Sequence, residues 1–201
     1  MGKVRFIKDF AETANEARTQ FASCFFKGDK VAIKMHMGEK GNLHYLRPKD
    51  VKPFVDVLKD LGAEPFLFDS IVIYSGGRDT VEKYLKTAEE HGYTEEAIGC
   101  PIVVSDDFVE VETQDMKFQV CKPLTGADGV LVLSHVKGHP CAGFGGAIKN
   151  LSMGGATKKS KGDMHNGCKP NLTGKCTVCG TCEKLCPAKS CTVKSGNFVN
   201  D

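Results

Sequence analysis

Segments with the patterns of strands and helices alternate along residues 3 to about 105 of this 201-residue chain. The strand-like segments are rich in branched and aromatic residues, and an apolar stripe at helical spacing separates each from the next. They lie at residues 4–7, 30–36, 65–68 and 101–105. This alternation predicts an α/β fold with a mostly parallel sheet and flanking helices.

Helix boundaries in this part of the chain follow from residues that favour the ends of helices. Asp9, in the position of an N-cap, predicts a first helix whose apolar face ends at Gly28. Pro48 opens a second helix that Gly62 ends, and a third helix ends at Gly92. The crossover helices that a parallel sheet requires are therefore accounted for.

The pattern changes after residue 105. Residues 108–121 alternate apolar and polar side chains around a polar centre, which predicts an inserted β-hairpin. Residues 129–135 form a continuous apolar segment, typical of a strand buried on both sides. The basic segment Lys158–Lys161 is interpreted as a solvated loop, with docking of an acidic redox partner as the alternative.

Four cysteines near the end of the chain, Cys176, Cys179, Cys182 and Cys186, are separated by two, two and three residues, and Pro187 follows the last. Bacterial-type ferredoxins hold a [4Fe–4S] cluster with this spacing. Zinc is the main alternative, although zinc sites usually pair two cysteine couples across a longer spacer. The four cysteines are therefore predicted to ligate a [4Fe–4S] cluster.

Composition and length agree with a two-part globular protein. An α/β domain is predicted over residues 1–165, and a small ferredoxin-like iron–sulfur module over residues 166–201. The other six of the ten cysteines are scattered, which favours a reducing, cytoplasmic compartment over a disulfide scaffold. The net charge of +2 argues against nucleic acid as a partner. No apolar segment approaches the roughly 18 residues of a membrane span.

A glycine-rich segment follows the apolar segment at 129–135. Gly143, Gly145 and Gly146 would let backbone amides approach an anion, and Lys149 could supply charge. The glycine spacing matches neither a dinucleotide fingerprint nor a P-loop. This segment is therefore a candidate anion site, and a flexible connection is the alternative.

Histidines and cations also follow the predicted strands. His36, Lys137 and His139 are candidate catalytic residues, since they could transfer protons or bind a metal or an anion. Arg47 completes the candidate anion site with Lys149. Carboxyl ends of strands are where α/β sheets bind ligands. For each histidine, a purely structural role is the alternative.

Four segments together carry a resemblance to a known family. They are residues 30–42, Arg47-Pro48, the hexapeptide Ser-His-Val-Lys-Gly-His at 134–139, and residues 142–154. They resemble the "uncharacterised Fe–S centre protein" family, domain-of-unknown-function family 362, over nearly the whole chain. The resemblance implies an α/β domain joined to a ferredoxin-like module, with a function that the family leaves open.

Family members used for comparison carry two successive ferredoxin motifs, whereas this chain carries one. The chain is therefore expected to be truncated or naturally shortened before a second motif. In two-cluster ferredoxins the fourth cysteine of a motif ligates the other cluster. Three alternatives follow for this chain: Cys186 closes its own cluster, Cys191 or Cys168 replaces it, or the cluster is incomplete.

The function predicted from these features is electron transfer between a [4Fe–4S] cluster and a site on the α/β domain. A redox partner protein and an anionic small molecule are the expected partners. Two alternatives are a non-enzymatic carrier or docking subunit, and a metal cluster with a purely structural role. Enzymatic activity is left open. Cys24 and Cys100 are predicted to be core thiols rather than nucleophiles.

Overall fold

The structure is a computed structural model that describes residues 4–114, 116–139, 142–166, 175–186, 189, 191–194 and 197–200. The chain divides into two compact units, Met1–Gly162 and Asp163–Asp201. The four-stranded sheet lies in the larger unit, and the cysteine motif lies in the smaller one.

Helices and strands alternate through most of the larger unit. The helices in the described residues are α1 (Phe10–Cys24), α2 (Pro48–Asp60), α3 (Val81–Glu90), α4 (Glu95–Ile98), α5 (Lys122–Thr125), α6 (Ala147–Gly155), α7 (Lys158–Asn166) and α8 (Thr181–Leu185). The strands are β1 (Lys30–Lys34), β2 (Glu64–Asp69), β3 (Ile102–Val104), β4 (Phe108–Glu112), β5 (Lys117–Cys121), β6 (Gly129–Val132), β7 (Lys137–His139), β8 (Gly143–Gly145), β9 (Cys191–Lys194) and β10 (Asn197–Asn200).

Four parallel strands form the main sheet in the order β3-β2-β1-β6. In the register of this sheet, Lys34 of β1 lies beside Phe68 of β2 and Val132 of β6. Val31, Ala32 and Ile33 of β1 have no exposed surface, as expected for a central parallel strand covered on both faces. The predicted α/β fold with a parallel sheet and flanking helices is confirmed.

The apolar stripe of α2 shows how a helix is held to this sheet. Val51, Phe54, Val55 and Leu58 recur at three- and four-residue steps and are buried, while charged residues occupy the other face. Pro48 occupies the first helical position, where its missing N–H leaves no hydrogen bond unmade. The predicted start and buried face of α2 are both confirmed.

The residues that the sequence predicted at the ends of helices are found there. Asp9 Oδ1 accepts the backbone N–H of Glu12 at 2.8 Å, so Asp9 is the N-cap of α1. Gly62 and Gly92 follow α2 and α3 with φ of 85° and 83°, conformations that glycine adopts without strain. Helix α1 ends at Cys24, before the turn that contains Gly28.

The predicted hairpin at 108–121 is confirmed, since β4 and β5 pair antiparallel. Gln119 of β5 is hydrogen-bonded to residues just before and within the first turn of α7. Thr157 donates its backbone N–H to Gln119 O at 3.0 Å, and the Ser160 hydroxyl accepts the Gln119 N–H at 2.7 Å. Because α7 begins at Lys158 and buries Ser160 and Lys161, interpreting Lys158–Lys161 as a solvated loop was wrong.

Three further predictions need correction. Residues 4–7 form no strand, and the side chains of Val4 and Phe6 are exposed. Strand β6 pairs with β1 alone among the described strands, so the segment predicted to be buried on both sides lies at a sheet edge and is only half-buried. Cys24, predicted to be a core thiol, is exposed because it lies on the outer side of α1.

The described part of the smaller unit contains α8 and an antiparallel hairpin of β9 and β10. Helix α8 and β9 are neighbours, and the backbone N–H of Val193 lies 3.3 Å from Glu183 Oε2, which accepts it. Cys168, one of the alternative fourth ligands, falls outside the described residues.

Candidate functional site

The order of the strands reverses beside β1. Strands β2 and β3 follow one another on one side of β1, whereas β6 lies on the other. In open α/β sheets, ligands bind outside the carboxyl ends of the two strands at such a reversal. The segments that follow β1 and β6 are therefore where a functional site is expected, and both carry polar and charged side chains.

A buried ion pair joins the ends of β1 and β2. Lys34 Nζ donates to Asp69 Oδ1 at 2.8 Å, and both side chains are at most 5% exposed. Asp69 also accepts the backbone N–H of Ser70 at 2.9 Å and the hydroxyl of Tyr84. Burial, the largest single effect, raises the pKa of the Asp69 carboxyl, but the Lys34 charge and the hydrogen bonds from Lys34 and Tyr84 together hold this pKa below its usual value.

Asn150 of α6 closes the gap between the ends of β1 and β6. Its Oδ1 accepts from Lys34 Nζ at 2.7 Å. Its Nδ2 lies within 3.2 Å of Lys34 O, and 2.9 Å from both Leu133 O and Ser134 Oγ, all three of which can accept from it. One amide side chain thus fixes α6 against the sheet and orients the buried lysine.

A second ion pair, between the loops that follow β1 and β2, extends the network towards the surface. The Arg78 guanidinium donates to Glu39 Oε2 from Nε at 3.0 Å and from Nη2 at 2.7 Å. Tyr74 donates its hydroxyl to the same Glu39 oxygen at 2.7 Å. Arg78 is 4% exposed, and its Nη1 lies 4.0 Å from Asp69 Oδ2, so the two ion pairs are neighbours.

Lys161 of α7 enters the same network. Its Nζ donates to Ser70 Oγ at 2.6 Å and to Ile71 O. Burial lowers the pKa of Lys161 to about 8, although the carboxylates of Asp69 and Asp106 oppose this shift. These residues form what we call the charge cluster, with three cations and three carboxylates: Lys34, Arg78, Lys161, Glu39, Asp69 and Asp106.

His36 lies between the charge cluster and the surface. Its Nδ1 accepts the backbone N–H of Gly38 at 2.9 Å, which requires an unprotonated nitrogen. Burial lowers the pKa of His36, and the charges of Arg78 and Lys137 add to this effect. Asp69 offsets only part of the shift, so the pKa is about 4. His36 is therefore neutral at pH 7.

We expect His36 to make the protein sensitive to mild acid. Its pKa is 6.5 when unfolded and about 4 when folded, so below pH 6.5 the unfolded state binds a proton that the folded state excludes. The free energy of unfolding should not depend on His36 well above pH 6.5, and it should fall by about 2 kcal/mol between pH 7 and 5. Urea unfolding of the wild type and of His36→Asn measures the difference.

The exposed His44 supplies the matched control for that measurement. His44→Asn should keep the pH dependence of the wild type, whereas His36→Asn should flatten it between pH 6.5 and 4. Equal pH profiles for His36→Asn and the wild type would contradict a neutral, partly buried His36.

The residues predicted as an anion site are only partly brought together. Lys149 Nζ lies 2.6 Å from His139 Nε2, and Lys137 pairs with Gly145 across the hairpin of β7 and β8. Gly146 is the N-cap of α6 and has no capping side-chain hydrogen bond.

Gly143 and Arg47, the remaining predicted anion-site residues, have roles in the local backbone. Gly143 adopts φ of 73° at the start of β8. Arg47 precedes α2, where its guanidinium carbon lies 4.0 Å from the centre of the Tyr45 ring and its Nη2 donates to Leu43 O at 2.6 Å. The contacts of Arg47 thus indicate a role at the start of α2.

Sequence reasoning did not assign a role to Asp69, Arg78 or Asn150 and placed Lys161 in a solvated loop, although all four belong to this network. The available signal was a charged residue at the end of each of two apolar strands, Lys34 in β1 and Asp69 in β2. Two opposite charges at the ends of adjacent parallel strands favour a buried pair. Which strands are adjacent is not legible in the sequence.

The cysteine motif forms a loop that ends in α8. Val178 and Gly180 have φ of 59° and 70°, and the backbone N–H of Val178 lies 3.4 Å from the sulfur of Cys176, which accepts it. Cys179 Sγ lies 3.4 Å from Thr181 Oγ1. Hydrogen bonds from the Thr181 hydroxyl and backbone, and from Thr177, lower the pKa of Cys179 to about 7.

The donor set of this loop fits an iron–sulfur cluster chemically, because four thiols can supply four thiolate ligands. Within the described residues, no group of three or more His, Cys, Asp or Glu side chains is arranged as a metal site. In metal loops the ligands commonly converge as the metal binds. This loop therefore has the ligand type and spacing of an iron–sulfur motif, but its described side chains do not form a closed metal site.

Cys100 and Cys121 differ from the thiols of the motif. Both are buried, and burial raises the pKa of each to about 11, so neither is a ready thiolate. Cys100 is a core thiol, as predicted.

Comparison with known proteins gives a match at the level of a family. The sequence model of a family described as "Domain of unknown function (DUF362)" matches residues 31–187. No curated protein matches the chain, and no solved structure matches it. Among the described helices, none is both long enough and apolar enough to cross a membrane.

Proposed function

The chain belongs to the DUF362 family, and we propose that it is an iron–sulfur protein whose Cys176, Cys179, Cys182 and Cys186 ligate a [4Fe–4S] cluster. Bound there, the cluster would accept and release one electron at a potential set by hydrogen bonds, charge and solvent. The proposed partners are a redox protein and an anionic small molecule.

The observation that carries this proposal is the chemistry of the cysteine loop. The thiolate is the form that binds metal, and the hydrogen bonds that lower the pKa of Cys179 favour this form. The amide of Val178 already points at a cysteine sulfur, as hydrogen-bond donors do around iron–sulfur clusters. Both features favour a metal-binding loop over a structural turn.

The fourth ligand is proposed to be Cys186. It directly follows α8, and its backbone N–H donates to Cys182 O at 3.1 Å, which keeps it one helical turn from another ligand. Cys191 lies in β9, where its backbone is paired with Asn200. Helix α8 and the hairpin that follows it are the part of the smaller unit that supports a ferredoxin-like module.

We expect the anaerobically purified protein, reconstituted with iron and sulfide, to absorb broadly near about 400 nm and to hold about four irons per chain. Cys179→Ser should abolish this absorption, and Cys186→Ser should lower the iron content. Cys24→Ser is the matched control, because Cys24 is an exposed thiol in α1 outside the motif. Bleaching on reduction by dithionite would support electron transfer.

Two results would contradict the proposal. Zinc at full occupancy after anaerobic preparation would exclude the redox role. An absorption band near about 400 nm that dithionite does not bleach would indicate a cluster with a purely structural role. Loss of iron in Cys191→Ser but not in Cys186→Ser would reassign the fourth ligand. Mass spectrometry of gently purified protein separates the two redox alternatives, because an electron carrier without a substrate site retains no small molecule.

A further inference from the structure

Residues 4–7, which we call the arm, join no sheet in the described part of the chain. Their backbone N–H and C=O groups make no hydrogen bond with any described residue. Val4 is 96% exposed and Phe6 is 88% exposed. Arg5 lies between them and forms an ion pair with Glu16, in which both side chains are exposed. The arm therefore has the alternating side chains of a strand but lacks a partner strand.

Strand β4 has an open edge. Within the hairpin, Thr113 N donates to Met116 O at 3.0 Å, so every second residue counted back from Thr113 is hydrogen-bonded to β5. The backbone groups of the residues between them point away from β5; these residues are Phe108, Glu110 and Glu112. Because β5 is the only neighbour of β4 in the described sheets, these outward groups are unpaired.

The side chains of β4 match those of the arm. Val109 and Val111 lie on one face of the hairpin and are 44% and 40% exposed, and Glu110 lies between them on the other face. The arm has the same order of side chains with the opposite charge at its centre. A second β4 fits this edge poorly, because an antiparallel pair centred on Glu110 would place two glutamates opposite each other.

One register suits every residue of the arm. In antiparallel pairing with Arg5 opposite Glu110, each apolar residue meets an apolar residue and the cation meets the carboxylate: Val4 meets Val111, Arg5 meets Glu110, Phe6 meets Val109 and Ile7 meets Phe108. In parallel pairing, Ile7 would instead lie opposite Glu112. Since the backbone groups of Glu110 point outward, Arg5 and Glu110 would exchange both of their main-chain hydrogen bonds.

The arm and β4 of one chain belong to opposite edges of the main sheet. Ile7 and Lys8 line a cavity together with Val132 of β6. Strand β4 follows β3 in the chain, and β3 and β6 are the two edge strands of the main sheet. Three strand spacings, or about 14 Å, separate these two edges. The partner of the arm is therefore assigned to another copy of the chain.

We propose that two copies of this chain associate by exchanging arms, each arm adding as an antiparallel strand to β4 of the other copy. Two equivalent exchanges give a closed two-fold dimer, the commonest form of homo-oligomer. Main-chain hydrogen bonds supply attraction, and the charges of Arg5 and Glu110 select the register. This dimer is independent of the iron–sulfur proposal, since it uses none of the cysteines.

Sedimentation velocity of the full chain over a range of protein concentrations tests the proposal. The expected result is a dimer that dissociates on dilution. Arg5→Glu and Glu110→Arg should each weaken dimerisation at least about tenfold, because each places like charges opposite one another twice in the dimer. Glu89→Arg makes the same charge change at an exposed position of α3 and should leave the dimer unchanged.

Mixing the two charge-reversed variants separates strand exchange from other forms of association. Arg5→Glu has an acidic arm and an acidic edge, whereas Glu110→Arg has a basic arm and a basic edge at this position. In an equimolar mixture every arm meets an edge of opposite charge, so heterodimers should form although neither variant dimerises well alone. Amide hydrogen exchange at Arg5 and Glu110 should also slow in the wild-type dimer.

Three results would overturn the proposal. They are a wild type that stays monomeric at every concentration, a dimer that Arg5→Glu leaves intact, and a mixture of the two variants that forms no heterodimer.

Discussion

Replacing Lys34 by Met is expected to lower the free energy of unfolding by about 3–5 kcal/mol at pH 7, because it removes the cation that is hydrogen-bonded to the buried Asp69 carboxylate and leaves it the more distant Arg78, whose Nη1 lies 4.0 Å from Asp69 Oδ2. Asp69 would keep the Tyr84 hydroxyl and the Ser70 N–H as donors, but both partners are neutral. Asn150 would lose the donor to its Oδ1. Denaturant unfolding, monitored by circular dichroism, measures the loss.

The pH dependence of that loss identifies its cause. In the wild type, the pKa of Asp69 is lower in the folded state than its usual value of 3.8. Asp69 therefore stabilises the fold at pH values above 3.8, and this contribution is lost as the pH falls through the folded pKa. In Lys34→Met, burial acts on Asp69 with less opposition and its pKa rises. Lowering the pH would then neutralise the carboxylate, so the stability difference should shrink between pH 7 and 5.

An exposed pair of the same type provides the control. Lys52 Nζ lies 2.8 Å from Asp56 Oδ1 on α2, at the same distance as the buried pair, but both side chains are about half exposed. Lys52→Met should therefore cost at most about 0.5 kcal/mol. A loss below about 1 kcal/mol in Lys34→Met, or a loss that does not change with pH, would contradict the assigned role.

The contrast between these two pairs shows what the sequence could predict. Lys52 and Asp56 are four residues apart on a helix, so their contact follows from helix geometry. Lys34 and Asp69 are 35 residues apart, and their contact exists because β1 and β2 are adjacent and in register. Alternating strands and helices predict a parallel sheet, but periodicity does not specify the order of its strands.

Strand order also explains the error at β6. An apolar segment such as Gly129–Val132 has the composition of a central strand, and nothing within it indicates that β1 pairs with only one of its edges. Lys161 presents the same problem in a polar segment. Its burial depends on Ser70, 91 residues earlier in the chain, so local composition predicts a solvated loop.

The cysteine motif and the predicted anion site differ in how far each could be predicted from the sequence. The spacing of Cys176 to Cys186 is local, so it predicts a cofactor class without any knowledge of the fold. The predicted anion site required residues from separate segments to meet. His139 and Lys149 do meet, because α6 directly follows the hairpin of β7 and β8, whereas Arg47 contacts Tyr45 beside α2.

Gly154→Ala is expected to destabilise the protein by about 2–3 kcal/mol, although it replaces glycine by alanine inside a helix. Helix propensity alone predicts a gain of about 1 kcal/mol from this change. A Cβ at Gly154 would lie only 2.7 Å from Lys34 Cε and 3.1 Å from Asp69 Oδ1. These atoms are held by the charge cluster and by the sheet, so they cannot move away without breaking buried hydrogen bonds.

Gly162→Ala is the matched control, because Gly162 lies inside α7 and a Cβ there would meet no atom within 4 Å. It should stabilise the protein by about 0.5–1 kcal/mol, the propensity gain without the clash. Thermal and urea unfolding of both variants would therefore give shifts of opposite sign. A stabilised Gly154→Ala would mean that the charge cluster yields to a methyl group and that the close approach of α6 is not what fixes Lys34.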